Sequence, residues 1–400
     1  MDVCAPFSGK QITILGLGLL GRGVGDAEFL ASCGAKVTVS DMKTAEELAP
    51  SVERLKKFPD IVFHLGEQPI EDFTDTDLVI KAAGIPLDSP HIAAARAAGV
   101  RVAMSTALFA KAAVEIGTIM VGITGTRGKT TVTRMIYHAL VRAGLPAHLG
   151  GNIRGVSTLA MLPSLKKGDI IVFELDSWQL QGFGDEHISP RVAVFTNLLS
   201  DHMNYYGGDM DRYFADKANI FRNQKMGDTL IAGTSIIERI RKTNPPVMPQ
   251  TPAPLPADWQ LLLEGEHNRE NASFAAAALR ALGVSEDDIK AGLESFEAVE
   301  GRLQLAREVG GVKIYNDNNA TTPEATIVAL KTLQGKRPLT LIVGGTDKDV
   351  ALEDLARAIN ETVDSLVLFA GTGTERLKSL LQKTYRERDS LAGVLEEARK

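Results

Sequence analysis

Short apolar runs alternate with helical patterns along almost the whole chain, and this alternation constrains the fold more than any other feature. "QITILGLG" is followed by a helical "GDAEFLASCG" and then "KVTVSD"; "TDLVIKAAG" precedes a helical "SPHIAAARAAG" and then "VRVAM". The same grammar restarts at "TIMVGITG", runs through "DIIVFEL" and "RVAVFTN", and begins a third time from "VKIYNDNN" through "LTLIVGG" to "SLVLFAG". Parallel neighbours need a crossover long enough for a helix, so this pattern predicts an α/β chain of parallel sheets covered by helices. At 400 residues the chain exceeds one ordinary hydrophobic core. The predicted boundaries lie near residues 108 and 301, giving segments 1–107, 108–301 and 302–400. The proline-rich "KTNPPVMPQTPAPLPADW" predicts a loop or an edge excursion, because proline cannot donate to a ladder. "NRENASFAAAALRALG" predicts a strong helix with a glycine stop.

Composition removes several function classes. The net charge is -6, which argues against broad, non-specific nucleic-acid binding. No apolar run approaches the ~18 residues of a membrane span. The early "ITILGLGLLG" lacks a basic flank and a small-residue cleavage site, so it predicts a strand and turn, not a signal peptide. The two cysteines, Cys4 and Cys33, offer no metal spacing and no disulfide framework, and predict a reducing, cytoplasmic setting.

"GITGTRGKTT" lies between an apolar strand and the helical "TVTRMIYHALVRAG". Glycines let backbone N–H groups curl around anionic oxygens, and the helix N-terminus adds its positive end. Lys129 would reach the terminal phosphates and the Thr130 hydroxyl would ligate Mg2+. Five residues, not the usual four, separate Gly122 from Gly128. An earlier loop carries Gly16, Gly18 and Gly21 in G-x-G-x-x-G spacing, with Asp41 after the next strand. Its residues say that a diphosphate lies against the loop and that a carboxylate contacts a ribose or base edge. NAD, FAD and a UDP-sugar all satisfy that.

Residues just past the carboxyl ends of strands gather over one crevice in a doubly wound sheet. Glu174 ends the run "VFEL", and Asp201 and His202 follow "VAVFTNLLS". Thr130, Glu174 and His202 are therefore expected to meet there with phosphate oxygens, a donor set that suits Mg2+. His91 and His138, in helical stretches, have no such context.

Together "GLGLLGRG", "GITGTRGKTTVT", "GGNIRG", "ELDSWQL", "TNLLSDHMNYY", "RYFADKANIF", "GEHNRENASFAAAA", "EGRLQLAREVGGVKIYNDNNATTPEAT" and "LIVGGTDKD" resemble the Mur ligase family, in the family's order and across most of the chain. The resemblance implies three domains: a Rossmann-like N-terminal domain for a UDP-substrate, a central P-loop ATPase-type domain, and a Rossmann-like C-terminal domain for the incoming amino acid. It implies an ATP-dependent, ADP-forming amide ligase of peptidoglycan precursor synthesis, monomeric and cytoplasmic, acting on UDP-N-acetylmuramoyl-L-alanine and D-glutamate without nucleic-acid or membrane partners. By that resemblance Gly125, Thr126, Gly128, Lys129, Thr130 and Thr131 hold the ATP phosphates, and Asn271, Arg302 and Asp317 hold other parts of ATP. Gly18, Leu19, Leu20, Asp41 and Asn152 face the UDP-substrate, while Thr321 and Lys348 lie near the amino acid. Lys129, Glu174, His202 and Lys217 are the implied catalytic set. Thr130 and Glu174 ligate one Mg2+; His202 ligates a second, supported by Lys217 as a carbamate.

Four positions depart from the family. "AAG" at Ala82–Gly84 stands where Ser-Pro-Gly is common, Asn319 replaces a lysine, and Asp176 replaces a small hydroxyl residue. The chain stops at "GVLEEARK", where the resemblance would continue into a strand and a Ser-rich loop, so the C-terminal domain is expected to be incomplete through truncation of the source sequence. The alternatives are a family member using another amino acid and an ATP-binding homologue with impaired turnover.

Overall fold

The structure is a computed structural model that describes every residue except Met1, Leu20, Arg154, Lys336, Arg337, Lys348 and Lys400. The chain forms two compact units. Residues Met1–Trp259 with Asn271–Ser295 make the first, and Gln260–Glu270 with Phe296–Lys400 make the second.

Two parallel sheets build the first unit. One contains β1 (Gln11–Leu15), β2 (Lys36–Asp41), β3 (Val62–Leu65), β4 (Leu78–Lys81) and β5 (Arg101–Ala103), in the order β3-β2-β1-β4-β5. The other contains β6 (Ile119–Thr124), β7 (Ala147–Gly151), β8 (Ile170–Glu174), β9 (Val192–Phe195) and β10 (Thr229–Ala232), in the order β10-β9-β6-β8-β7. Every pairing in both sheets is parallel. Chain order reverses between β1 and β4 in one sheet and between β6 and β9 in the other. Ligands of doubly wound sheets bind at such reversals, beyond the carboxyl ends of the strands. Each predicted glycine loop leaves the sheet at one of these two points.

Strands β4, β8 and β9 are buried along their whole length. That is why they read as unbroken apolar runs instead of alternating ones. Phe173 of β8 is fully buried and meets Phe109 and Phe183 edge-on, at centroid distances of 5.6 and 6.0 Å. Phe109 comes from the helix Ser105–Ile116 and Phe183 from the helix Ser177–Asp185. One continuous apolar core joins both sheets, from Phe7 and Ile12 through Phe109 and Phe173 to Ile240.

The second unit holds an antiparallel hairpin, β11 (Gln304–Val309) and β12 (Val312–Asn316), and a parallel sheet of β13 (Thr340–Gly344), β14 (Ser365–Phe369) and β15 (Arg386–Arg388). Its core gathers Leu330, Leu355, Ile359, Leu366, Leu368 and Leu377. The sequence grammar opens a parallel pattern at "VKIYNDNN", but β12 pairs antiparallel with β11. Gly310 and Gly311 take φ of 57° and 82° at the turn between them. Two consecutive left-handed residues are what a two-residue hairpin needs, and a glycine pair supplies them without steric cost.

The proline-rich stretch is an edge excursion that touches the sheet through one bridge, Gln250 to Ile231. The cysteines overturn the expectation of unlinked thiols. Cys4 and Cys33 are joined by a disulfide that ties the segment before β1 to the end of the helix Arg22–Ser32. Two cysteines 29 residues apart make no recognisable framework in a sequence, yet β1 and that helix bring them side by side. Among the described residues no helix is long and apolar enough to cross a membrane.

Replacing a buried phenylalanine by alanine removes transfer energy and leaves a cavity. Phe173→Ala is expected to lower unfolding free energy by about 3–5 kcal/mol, measured by urea denaturation.

Candidate active site

Strand β6 ends at Thr124 and the helix Lys129–Arg142 begins five residues later, so the intervening loop must turn sharply. Gly125 and Gly128 take φ of 141° and 83°. No side chain caps the helix, so its first amides remain available to an anion. A Cβ on Gly125 would lie 2.0 Å from Thr196 Oγ1, and one on Gly128 would lie 2.4 Å from Asn271 Oδ1. The loop is therefore packed between the segment after β9 and the predicted nucleotide residue Asn271. Thr126 N–H donates to Asn197 O at 3.0 Å, and Arg127 N–H donates to Asn197 Oδ1 at 2.9 Å. Thr196 Oγ1 donates to Arg127 O at 2.6 Å. The Thr126 hydroxyl accepts from Leu199 N–H at 2.9 Å, so this predicted phosphate residue also fastens the loop to its neighbour. Thr130 and Thr131 are half-buried on the first turn of the helix.

Two lysines converge here. Lys129 Nζ donates to Gly125 O at 3.0 Å and to Thr126 O at 3.1 Å. Lys217, from the helix Met210–Lys217, donates to the same Gly125 O at 2.9 Å and to Thr124 Oγ1 at 3.3 Å. Its Nζ lies 4.8 Å from the centroid of the Tyr213 ring, and only 1% of the residue is exposed. Burial lowers the pKa of both, against the pull of Asp176 and Asp201. Glu174 also pulls on Lys129, and the Lys129 charge pushes Lys217 further down.

Glu174, at the end of β8, is 7% exposed. His202 takes φ 54° at the start of the helix Met203–Tyr206, with its ring 4.6 Å from the Trp178 ring. Burial lowers its pKa despite Asp201, whose carboxylate lies 3.7 Å from Nε2. Lys129 and Lys217 oppose its protonation as well. The expected set of Lys129, Glu174, His202 and Lys217 thus falls within one electrostatic neighbourhood. Among the described residues no three His, Cys, Asp or Glu side chains form a metal cage by themselves. A cation here needs other oxygens, such as the Thr130 hydroxyl and phosphates.

Asn152 follows β7. Its N–H donates to Glu174 O at 2.7 Å, and its Oδ1 accepts from Arg22 at 3.0 Å. Arg22 opens the helix that leaves the first glycine loop. In that loop Gly16, Gly18 and Gly21 have φ of 86°, 68° and 79°. The Asp41 carboxylate, expected to face a ribose or base edge, accepts from Leu17 N–H at 2.8 Å, Gly18 N–H at 3.2 Å and Lys43 N–H at 2.9 Å. It shapes the loop through these bonds. Leu19 is exposed, and Leu20 lies outside the described residues.

Asp176 is the N-cap of the helix Ser177–Asp185: its Oδ1 accepts from Gln179 N–H at 2.7 Å, and Gln179 Oε1 accepts from Asp176 N–H at 3.3 Å. In the second unit Arg302 donates to Asn319 O at 3.0 Å, and Asp317 Oδ1 accepts from Leu303 N–H at 2.8 Å. Burial raises the Asp317 pKa. Asn319 Nδ2 donates to Glu300 O at 3.1 Å, so the residue standing in for a lysine closes the same turn. Thr321 is exposed, and Lys348 lies outside the described residues. Sequence reasoning missed Thr196, Asn197, Trp178 and Tyr213. The signal available for the first two was a polar "TN" directly after an apolar run.

A side chain at Gly128 would strain a left-handed backbone and press on Asn271. Gly128→Ala is expected to weaken ADP binding by about tenfold or more in calorimetric titration, while the melting temperature falls by only a few degrees.

Three family models match successive parts of the chain: the Mur ligase MurD-like N-terminal domain over residues 10–104, the Mur ligase middle domain over 123–246, and the Mur ligase glutamate ligase domain over 301–399. The UDP-N-acetylmuramoylalanine–D-glutamate ligase of Roseiflexus sp. (strain RS-1) is 35% identical, the alignment covering 94% of this chain and 86% of that protein. The ligase of the same name from Borreliella burgdorferi (strain ZS7) is 32% identical over 93% of this chain and 85% of its own length. Among solved structures, UDP-N-acetylmuramate–alanine ligase MurC from Thermotoga maritima shares the fold with a TM-score of 0.62 at 22% identity, covering 97% and 92% of the two chains. MurF ligase from Thermotoga maritima in complex with ADP gives 0.61 at 17% identity, covering 99% and 91%. The order of the three matched segments, and the near full-length identity to these relatives, show that this chain belongs to the Mur ligase family.

Proposed function

We propose that this chain joins D-glutamate to the L-alanine carboxyl of UDP-N-acetylmuramoyl-L-alanine and cleaves ATP to ADP and phosphate. The reading is carried by the crevice around Gly125, where Lys129, Lys217, Glu174 and His202 share one electrostatic neighbourhood. The relatives bearing that activity in their names support the choice of substrates. Residues 1–107 would take the UDP-substrate, 108–301 the ATP, and 302–400 the amino acid.

A carboxylate is a poor acyl donor because its leaving group would be oxide. Attack of a substrate carboxylate oxygen on the γ-phosphorus expels ADP and leaves an acyl phosphate. The amino nitrogen then attacks the acyl carbon, phosphate departs with the bonding pair, and the nitrogen loses a proton. Both steps crowd negative charge, which donors fixed in advance stabilise well. The amides that open the helix Lys129–Arg142 would hold phosphate oxygens. Lys129 would turn from the Gly125 and Thr126 carbonyls toward the transferred group.

The donor chemistry fits Mg2+: a carboxylate, a hydroxyl and an imidazole kept neutral by burial. Thr130 and Glu174 would hold one ion and His202 the other, and bound Mg2+ would neutralise charge on the reacting oxygens. Lys217 would carry the chemistry for a carbamate, since burial lowers the pKa of its amine and the deprotonated amine is the nucleophile that CO2 requires. As a carbamate it would add an anionic oxygen beside His202.

Incubation with UDP-N-acetylmuramoyl-L-alanine, D-glutamate, ATP and Mg2+ is expected to release phosphate only when all four are present, with the amide product seen by mass spectrometry. Lys129→Ala is expected to lower kcat by about 10²–10³-fold, the range for losing one preorganised charge-stabilising donor. Phosphate release that ignores the UDP compound, or turnover untouched in the variant, would overturn this reading.

A further inference from the structure

We propose that Lys81 is a positioning residue whose ammonium holds residues 82–85 as the second wall of the crevice that takes the UDP-linked substrate. The identity of that substrate rests on the function proposed above.

Lys81 ends β4 and is 3% exposed. It pairs in register with Leu15, the last residue of β1, and Ala82 N–H donates to Leu15 O at 2.9 Å. Lys81 therefore stands where the strand order reverses and a ligand crevice opens. The loop Gly16–Gly21 forms one side of that crevice, and the segment Ala82–Ile85 forms the other. The two are tightly packed: a Cβ on Gly16 would lie 2.9 Å from Ile85 Cδ1 and 3.2 Å from Ala82 Cβ. The same segment also reaches the catalytic side. A Cβ on Gly84 would lie 3.8 Å from the Trp178 ring, and that ring meets His202 at a tilt, with centroids 4.6 Å apart. Any shift of residues 82–85 would thus be felt in the glycine loop and beside His202.

Ile85 packs on the apolar cluster of Leu15, Phe73 and Ile92, and among the described residues the side chain seen to bond the carbonyls of this segment is Lys81. Lys81 Nζ donates to Ile85 O at 2.9 Å, to Ala83 O at 3.2 Å and to Ala82 O at 3.4 Å. Ala82, Ala83 and Gly84 carry no polar side chains with which to fix themselves. Burying an ammonium is costly, and an apolar side chain of equal volume would fill the space without that cost. The charge is retained because three carbonyls point at it. Acid groups support it from two directions: Asp176 and Asp185 at the ends of the helix Ser177–Asp185, and Asp216 on the helix Met210–Lys217. Arg96, on the helix Pro90–Ala97, opposes it. Burial pushes the pKa down to about 8. Below that pH three protons serve three carbonyls. Above it the amine has one donor fewer, and the wall loosens.

The test is calorimetric binding of UDP-N-acetylmuramoyl-L-alanine and, separately, of ADP to the wild-type chain, Lys81→Met and Lys81→Arg. Met keeps length and bulk without donors; Arg keeps charge and donors. Lys81→Met is expected to raise Kd for the UDP compound about tenfold with ADP affinity unchanged within twofold, since hydrogen bonds to a charged group are the strong ones. Lys81→Arg should fall between. In the wild type the Kd for the UDP compound is expected to rise from pH 7.5 to 9, and Lys81→Met should abolish that rise. A wild type that binds no UDP compound overturns the functional reading and this role with it. A wild type that binds, with Lys81→Met binding as well or losing ADP equally, overturns the role of Lys81 alone. If Lys81→Met does not fold, a flat wild-type profile across that pH range overturns it instead.

Discussion

Two lysine side chains, Lys217 buried and Lys129 half-buried, donate to one carbonyl oxygen, Gly125 O, and the rest of the structure is arranged around that contact. Two ammonium groups cannot both stay charged at such a point without strong repulsion, because a low-dielectric surrounding screens them poorly. The conflict is resolved in two ways. Burial and the Lys129 charge push the Lys217 pKa well down, while Asp176 and Asp201 pull on both lysines and Glu174 pulls on Lys129. The loop that carries Gly125 must then be rigid, or the two amines would separate. Its rigidity comes from Thr196 and Asn197, which take up Thr126 N–H, Arg127 N–H and Arg127 O.

The first glycine loop is far from this point in sequence but tied to it by hydrogen bonds. Arg22 donates to Asn152, whose N–H donates to the carbonyl of Glu174. A short path of hydrogen bonds thus runs from the loop at β1 to the crevice at β6. A second tie lies behind it: Ser157 Oγ donates to Asp26 at 2.6 Å, with burial pushing the Asp26 carboxyl up to about 6. A Cβ on Gly25 would lie 2.5 Å from Ser157 Cβ, so the helix and that segment are in direct contact. These ties explain why both sheets share one apolar core instead of holding separate ones.

The legible features were those written locally. Apolar runs, the glycines that bend the chain after β1 and β6, and the acids at strand ends are short-range patterns, and topology alone places them at the two reversals. The features that escaped are contacts between distant segments. Thr126 meets Leu199 across 73 residues, and no local signal announces it. The Cys4–Cys33 pair depends on where a helix ends relative to β1. Asp176 does place charge beside the crevice, but the sequence shows its type and not its bond: it also caps a helix through Gln179. Asp41 reads as a ligand contact, and its carboxylate also accepts from the amides of Leu17 and Gly18 in the first glycine loop, a contact across more than twenty residues.

The surroundings of Lys217 show why its pKa is lowered. Asp216 precedes it in the chain and looks like a ready ion-pair partner. Asp216 Oδ2, however, accepts from Gln181 Nε2 at 2.8 Å and from Tyr206 OH at 3.0 Å, and burial raises its pKa. Asp216 and Lys217 are successive residues of one helix, so their side chains project in different directions. The hydrogen-bond partners of Lys217 are a threonine hydroxyl and a backbone carbonyl, both uncharged. The Tyr213 ring and the carboxylates of Asp176, Asp201 and Asp216 favour the ammonium, but burial and the Lys129 charge outweigh them and lower its pKa. A lowered pKa makes the electron pair of the amine easier to free, and any chemistry that converts it to an anion would also remove its repulsion with Lys129.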